Sequence, residues 1–249
     1  MIACIIRNNR NLLLIAKIFL RKPLLIRAGY DLYKNSIIGE KNGLKLFFIW
    51  LISKISYKSA NHIWVPTDEI SEFVIKEHKI TSDKITVFPN WIDVNLFRVT
   101  DAHYLYKNKI LYIGRLSNEK NIPLLVNALC KTNIALDIIG DGEEKNNIIS
   151  LANKRLVDIN FLGRVPNENL PNLINRYPII VLCSNYEGSP KVLLEAMSCG
   201  KAVIGTNKPG INNVIIHNVN GVLCESDVSS LSSAITGLIK DEKAIQIRK

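Results

Sequence analysis

From about residue 108 onward the chain alternates short apolar runs with stretches of helical spacing, and that rhythm leaves few architectures open. Lys109–Ile113, Ile134–Ile139, Ile159–Leu162, Ile179–Cys183, Ala202–Gly205 and Val222–Cys224 read as strands. Glu119–Cys130, Glu143–Asn153, Asn167–Arg176, Pro190–Gly200 and Val228–Lys240 read as the helices between and after them. Strands that are apolar from end to end are buried on both faces. They need helices on each side, and the result is a parallel, doubly wound α/β sheet. Ligands bind such sheets beyond the carboxyl ends of the strands. Gly114-Arg115, Gly140-Asp-Gly142, Gly163-Arg164 and Asn185–Gly188 all fall there.

The first hundred residues have a different texture. Pro23–Ala28, Ile63–Val65 and Ile85–Phe88 read as strands. Between the first two lies Leu44–Tyr57, a helix apolar on nearly all sides, which favours burial in the core. Its aromatics with Lys45, Lys54 and Lys58 also suit a membrane surface, the alternative reading. Asn90 to about Lys109 has few periodic apolar residues and reads as a connector. The expected domains are therefore 1–98 and 99–249. Three strands are few for an α/β domain and would leave an unprotected edge. The expectation is a partial N-terminal domain beside a complete or near-complete C-terminal one.

The net charge of +10 favours an anionic partner, but no block of like charges marks a nucleic-acid tail. The five cysteines are odd in number and lack metal-ligand spacing, which fits reduced thiols rather than a disulfide framework or a zinc site. Leu46–Ser53 is too short to span a bilayer. Leu12–Leu20, broken by Lys17, lacks a cleavage site and makes a poor signal peptide.

The densest chemical signal is Glu187-Gly-Ser-Pro-Lys-Val-Leu-Leu-Glu195. Ser189 is a suitable N-cap and Pro190 a suitable first helical residue. The amino end of the helix they start would attract an anion. Lys191 in the first turn fits a bound phosphate better than a bare helix end. The bland alternative is an ordinary capped helix with two solvated glutamates.

Gly114-Arg-Leu-Ser-Asn-Glu-Lys120-Asn121, Gly140-Asp-Gly142, Phe161-Leu-Gly163 and Ser184-Asn-Tyr-Glu187 occur in that order, each after a strand. Together with Glu187 and Glu195 at Glu-x7-Glu spacing, they resemble the donor-binding domain of retaining glycosyltransferases of family four, which have the GT-B fold. The likeness covers about residues 108–240. Residues 55–98, with Val87-Phe-Pro-Asn90-Trp-Ile-Asp93, resemble the end of that family's N-terminal domain and its linker. The resemblance implies two Rossmann-like domains and transfer from a UDP- or GDP-sugar with retention of configuration. It assigns Glu187, Arg115 and Lys120 to catalysis: the two cations on the diphosphate, Glu187 on the donor sugar. It assigns Gly114, Gly163, Arg164, Val165, Gly188, Ser189, Pro190, Val192, Leu193 and Glu195 to donor binding, with Glu195 on the ribose hydroxyls.

No Asp-x-Asp pair is present, so neither metal nor cofactor is expected, and Arg and Lys take the place of a divalent ion. Gly140-x-Gly142 follows the second strand of its domain and has Lys145 where a dinucleotide fingerprint has its third glycine. The chain also departs from the family. The glycine-rich loop and acceptor-side histidine are missing, and Arg27-Ala-Gly-Tyr-Asp31 stands nearest to their place, with Asp31 as an acceptor-side candidate. Asn90-Trp91 replaces the common Asn-Gly, and Asn213 replaces an acidic residue. None of His62, His78, His103 and His217 has a sequence partner that marks catalysis.

The implied role is cytoplasmic synthesis of a cell-surface polysaccharide such as lipopolysaccharide. The acceptor would be a glycan or lipid-linked, with peripheral contact at the inner face of the plasma membrane and no nucleic acid. A separate chain supplying the missing N-terminal region is part of that reading. A GT-B sugar-nucleotide epimerase and a nucleotide-sugar-binding module without turnover are the alternatives.

Overall fold

The computed structural model of the chain describes residues 23–29, 31–38, 42–100 and 105–241. Cys4, Leu12–Leu20, Tyr30 and His103 lie outside the described residues. The chain forms two compact units, Met1–Asn90 and Trp91–Lys249. The division falls ahead of the 98/99 boundary expected from sequence because the connector is packed into the second unit. Phe97 is buried in that unit's core, and its carbonyl accepts the Ser198 hydroxyl. Asn175 holds the Arg98 carbonyl at 3.0 Å and the Thr100 amide at 3.4 Å.

The first unit has a parallel sheet of β1 (Leu25–Arg27), β2 (His62–Val65) and β3 (Ile85–Val87), in that order. Ile26 pairs with Ile63 and Trp64 with Thr86. The helices are α1 (Leu32–Ile38), α2 (Gly43–Ser59) and α3 (Asp68–His78). Helix α3 follows the rules of its sequence. Thr67 caps the Ile70 amide, Asp68 and Glu69 occupy the positive end, and Lys79 ends it in the left-handed region. Ile70 and Val74 join Ile26, Ile63 and Val65 in the core.

Asp31, expected on the acceptor side, has a different place. Its side chain is fully buried. It accepts from the Tyr57 hydroxyl at 2.8 Å and the amides of Tyr33 and Lys34, and pairs with His78 Nε2 at 3.2 Å. It thus caps α1 and ties α1, α2 and α3 together. Burial tends to raise its pKa, but the bonds from His78, the Lys34 amide and Tyr57 outweigh that and hold it below its ordinary value. A carboxylate so enclosed has no surface left to offer an acceptor.

The expected burial of the apolar helix is also corrected. Helix α2 buries Ser53, Ser56 and Tyr57, while Leu44 is 72% exposed and Phe47 and Phe48 are each 53% exposed. The polar cluster around Asp31 captures Tyr57. That choice turns the small serines inward and the large apolar side chains out.

The second unit is a six-stranded parallel sheet in the order β6-β5-β4-β7-β8-β9. Its strands are β4 (Lys109–Ile113), β5 (Ala135–Ile139), β6 (Ile159–Gly163), β7 (Ile179–Leu182), β8 (Ala202–Thr206) and β9 (Val222–Cys224). All residues of β7 and β8 are buried, which matches their unbroken apolar character. The helices are α4 (Ile122–Leu129), α5 (Lys145–Arg155), α6 (Leu170–Ile174), α7 (Lys191–Ser198) and α8 (Val228–Lys240). Helix α4 packs against α5 and α8. Helix α6 is shorter than its periodicity suggested, since Asn167–Asn169 form a 3-10 turn before it.

The turns after β4 and β5 touch backbone to backbone. A Cβ on Gly140 (φ +145°) would lie 1.8 Å from the Gly114 carbonyl oxygen, and one on Gly142 would lie 2.3 Å from that of Leu116. Gly163 (φ +70°) has open space around it. Gly140→Ala should therefore cost about 3 kcal/mol or more of stability, combining strain and overlap. Gly163→Ala should cost only about 1 kcal/mol, for backbone strain alone. Urea unfolding of the two variants checks the ranking, and equal losses would contradict it.

Candidate functional site

In the second sheet β4, β5 and β6 run to one side and β7, β8 and β9 to the other. The reversal between β4 and β7 is a topological switch point, the place beyond the strand ends where open α/β sheets bind ligands.

The turn after β4 rests on Tyr112. This tyrosine is buried, and its hydroxyl donates to the Arg115 carbonyl at 3.1 Å. A Cβ on Gly114 would sit 2.6 Å from that hydroxyl oxygen, so the contact needs glycine. Burial holds the phenol far above its ordinary pKa, with the charges of Cys183, Glu187 and Glu119 adding to the effect. It therefore stays a neutral donor. The Arg115 side chain is exposed and has no hydrogen bond or ion pair among the described residues. The turn then passes through a 3-10 segment, Asn118–Lys120, to Asn121 in the left-handed region (φ 50°).

The turn after β7 is bonded to the first one. The Asn185 amide donates to the Glu119 carbonyl at 2.8 Å, and Asn121 Nδ2 donates to Asn185 Oδ1 at 3.2 Å. Lys120 Nζ lies 2.6 Å from Glu187 Oε1, with both side chains mostly shielded from solvent. The Ser184 hydroxyl, itself buried, donates to the same Oε1 at 2.6 Å, and the Ser184 carbonyl accepts from Thr206 at 3.0 Å. Both donors meet on one oxygen. Glu187 Oε2 has no partner among the described residues. Behind it the Glu187 amide donates to Pro209 at 2.9 Å, and a Cβ on Gly210 (φ +84°) would come within 2.0 Å of the Glu187 carbonyl oxygen.

Helix α7 starts one residue later than its sequence suggested. Pro190, with ψ 92°, is the N-cap rather than the first helical residue, and Ser189 precedes the cap. The N-cap residue Pro190 makes no side-chain capping bond. Proline has no side-chain acceptor to offer the amino-end donors, and the Leu193 amide bonds the Pro190 carbonyl at 3.2 Å. Gly188 and Ser189 are half-buried, Pro190 is buried, Val192 is half-buried and the Leu193 side chain lies in the core.

Glu195 is not a solvated helix residue. It is 6% exposed, with Lys191 Nζ at 4.0 Å. Burial raises its pKa, and Lys191 only partly offsets that. Gly163, half-buried Val165 and exposed Arg164 form a third turn. It is joined to the second strand's end by Gly140 N–H to Gly163 O at 2.8 Å and by a solvent-exposed pair of Arg164 with Asp141 at 3.7 Å. Among the described residues no cluster of three or more His, Cys, Asp and Glu side chains is arranged to hold a metal ion.

The structure thus joins Lys120 directly to Glu187 and Lys191 to Glu195. It fixes Arg115 only through its backbone. Sequence reasoning missed Ser184, Asn185, Asn121 and Gly210 as supports of this geometry. Ser184 and Asn185 had one signal, their place just past a strand on the ligand side of the sheet. The others depend on contacts between segments far apart in sequence.

Two α/β units with parallel sheets, one carrying a cation–carboxylate pair at its switch point, define a class by fold: α/β proteins of GT-B type. The fold is similar to that of Anabaena HepE in complex with UDP-glucose, with a TM-score of 0.81 and 20% identity, covering 96% of this chain and 69% of that one. It is also similar to sucrose-phosphate synthase from Thermosynechococcus elongatus, with a TM-score of 0.79 and 20% identity, covering 92% and 62%. The profile of the family described as Glycosyl transferases group 1 matches residues 95–248, and the chain belongs to that family.

One relative is the Escherichia coli UDP-Gal:alpha-D-GlcNAc-diphosphoundecaprenol alpha-1,3-galactosyltransferase, 28% identical over 84% of this chain and 58% of its own length. Another is the Bacillus anthracis N-acetyl-alpha-D-glucosaminyl L-malate synthase, 32% identical over 66% of this chain and 46% of its own length. The chain spans about half of the length of these curated relatives.

Two measurements test the geometry. A double-mutant cycle on Lys120→Met and Glu187→Gln, read by urea unfolding, should give a coupling of about 1–3 kcal/mol. A value near zero would mean that the pair does not form in solution. Glu195→Gln should raise the melting temperature at neutral pH. A carboxyl whose folded pKa is raised has its full stability below the ordinary value and loses it as pH rises through the folded one. The gain should therefore shrink toward nothing as pH falls below the carboxylate range, and a pH-independent difference would count against it.

Proposed function

We propose that this chain binds a UDP- or GDP-sugar in its second unit and serves transfer of the sugar, with retained configuration, to a glycan or lipid-linked acceptor in cell-surface polysaccharide synthesis. The observation that carries this reading is the Lys120–Glu187–Ser184 arrangement at the switch point, in the turn that leads into the amino end of α7. Backbone donors at a helix amino end suit a phosphate. The Escherichia coli relative, named for transfer from UDP-Gal to a diphosphoundecaprenol-linked sugar, supports the donor and acceptor classes.

In the reaction the bond from the anomeric carbon to the diphosphate oxygen breaks, and the leaving group gains negative charge. Arg115 and Lys120 stabilise that charge from fixed positions, in place of a divalent metal. A guanidinium offers two parallel donors to phosphate oxygens. Lysine has three donors, so Lys120 keeps its bond to Glu187 Oε1 and still reaches the diphosphate. Glu187 turns Oε2 toward the sugar and stabilises positive charge developing at the anomeric carbon. Glu195 accepts from the ribose hydroxyls, gaining bonds that compensate its burial. Gly163–Val165 contact the base through the backbone, and the Val192 amide meets the distal phosphate. The acceptor hydroxyl attacks from the face that the diphosphate leaves, and its proton passes to the departing phosphate oxygen.

Calorimetric titration with UDP and GDP tests the binding half of this reading. One of them should bind, and the Arg115→Ala, Lys120→Ala double variant should weaken it at least about 100-fold, since each charge-assisted contact is worth about 1.5–3 kcal/mol. Unchanged affinity in the double variant would defeat the assignment. Glu187→Gln should leave the nucleotide affinity nearly intact and lower that for the intact nucleotide-sugar.

A further inference from the structure

We propose that helix α2 docks this chain on an anionic lipid surface, lying in the interface with its apolar face toward the acyl chains. Leu44, Phe48, Leu51 and Ile55 follow each other at spacings of four, three and four residues and form one stripe, flanked by Phe47 and Ile52. In a soluble domain such a stripe turns to the core. Here Leu44, Phe47, Phe48, Ile52 and Ile55 are exposed, and the buried side of the helix is Ser53, Ser56 and Tyr57. A contiguous exposed apolar patch of this kind marks an interaction surface.

The charges point to a lipid occupant. Lys45, Lys54 and Lys58 are the helix's charged residues, and it contains no Asp or Glu. Lysines along the edges of an apolar stripe match acidic headgroups around an apolar interior. Lys54 Nζ lies 4.2 Å from the centre of the Trp50 ring, and Phe47 stacks on the same ring at 6.1 Å. Aromatic rings beside cations suit the headgroup boundary. A second copy of the chain is a poor occupant, because a two-fold contact through this face would bring like-charged lysines together. The helix has 17 residues, about 25 Å of length, and lies on a bilayer rather than across one. No helix among the described residues is long and apolar enough to span.

The test is co-sedimentation of the full 249-residue chain with vesicles of phosphatidylcholine alone or mixed with phosphatidylglycerol. The chain should be retained on the mixed vesicles and released by salt, with affinity falling about fivefold for each of Lys45, Lys54 and Lys58 replaced by Gln. Phe47→Ser with Phe48→Ser should abolish retention while leaving the circular dichroism spectrum and melting temperature unchanged, since both side chains are exposed. In a Trp64→Phe, Trp91→Phe background, brominated acyl chains should quench Trp50. Absence of retention, retention that survives the double serine change, or an unquenched Trp50 in the bound protein would each overturn the proposal. A dimer dissociated by the serine changes, without vesicle retention, would assign the face to a second copy and overturn it as well. None of these readouts depends on nucleotide binding, so this proposal and the transferase reading fail separately.

Discussion

The second unit turns on a single ion pair. Lys120 and Glu187 come from the turns after β4 and β7, and they meet at 2.6 Å at the switch point. The pair is shielded enough from water for its attraction to exceed that of an ordinary surface bridge. It also leaves each partner with spare capacity, two ammonium hydrogens on one side and a second carboxylate oxygen on the other. The buried Ser184 hydroxyl fixes which oxygen is spare. Groups oriented before a ligand arrives need no reorganisation when charge develops, and that is where electrostatic catalysis gains most.

Further support for this pair comes from close approach at three glycines. Gly114 rests over the Tyr112 hydroxyl, Gly140 lies against the Gly114 carbonyl, and Gly210 lies against the Glu187 carbonyl. The turns after β4, β5, β7 and β8 therefore lean on one another in a row. A shift in one is therefore felt by its neighbour.

Much of the second unit was legible in the sequence because strand burial and helix periodicity are local signals. Val222–Cys224 and Val228–Lys240 have the bounds that their residues announce. The start of α7 was legible only to one residue, since Ser189 and Pro190 both suit the cap and only the backbone torsion decides between them. The Ser184–Glu187–Lys120 contact was not legible. It joins residues 67 apart in sequence through a turn geometry that periodicity does not encode. In the first unit local reasoning expected α2, apolar on nearly all sides, to be buried, and most of its large apolar side chains are not. Hydrophobicity ranks Phe47 above Ser56 for burial, whereas the Tyr57 bond to the enclosed Asp31 carboxylate sets the rotation of the helix. The same enclosure removes Asp31 from any outward role.

The way α2 is held has a consequence for how such a chain diversifies. Its anchors, Ser53, Ser56 and Tyr57, all sit in its carboxyl half, and Tyr57 is the one that joins the core of Ile26, Ile63, Val65 and Val74. So long as Tyr57 stays, the outward residues are free of packing duty. Selection can recharge, lengthen or grease that side step by step without re-solving the interior, and so readdress the chain to a different surface while its switch point stays as it is.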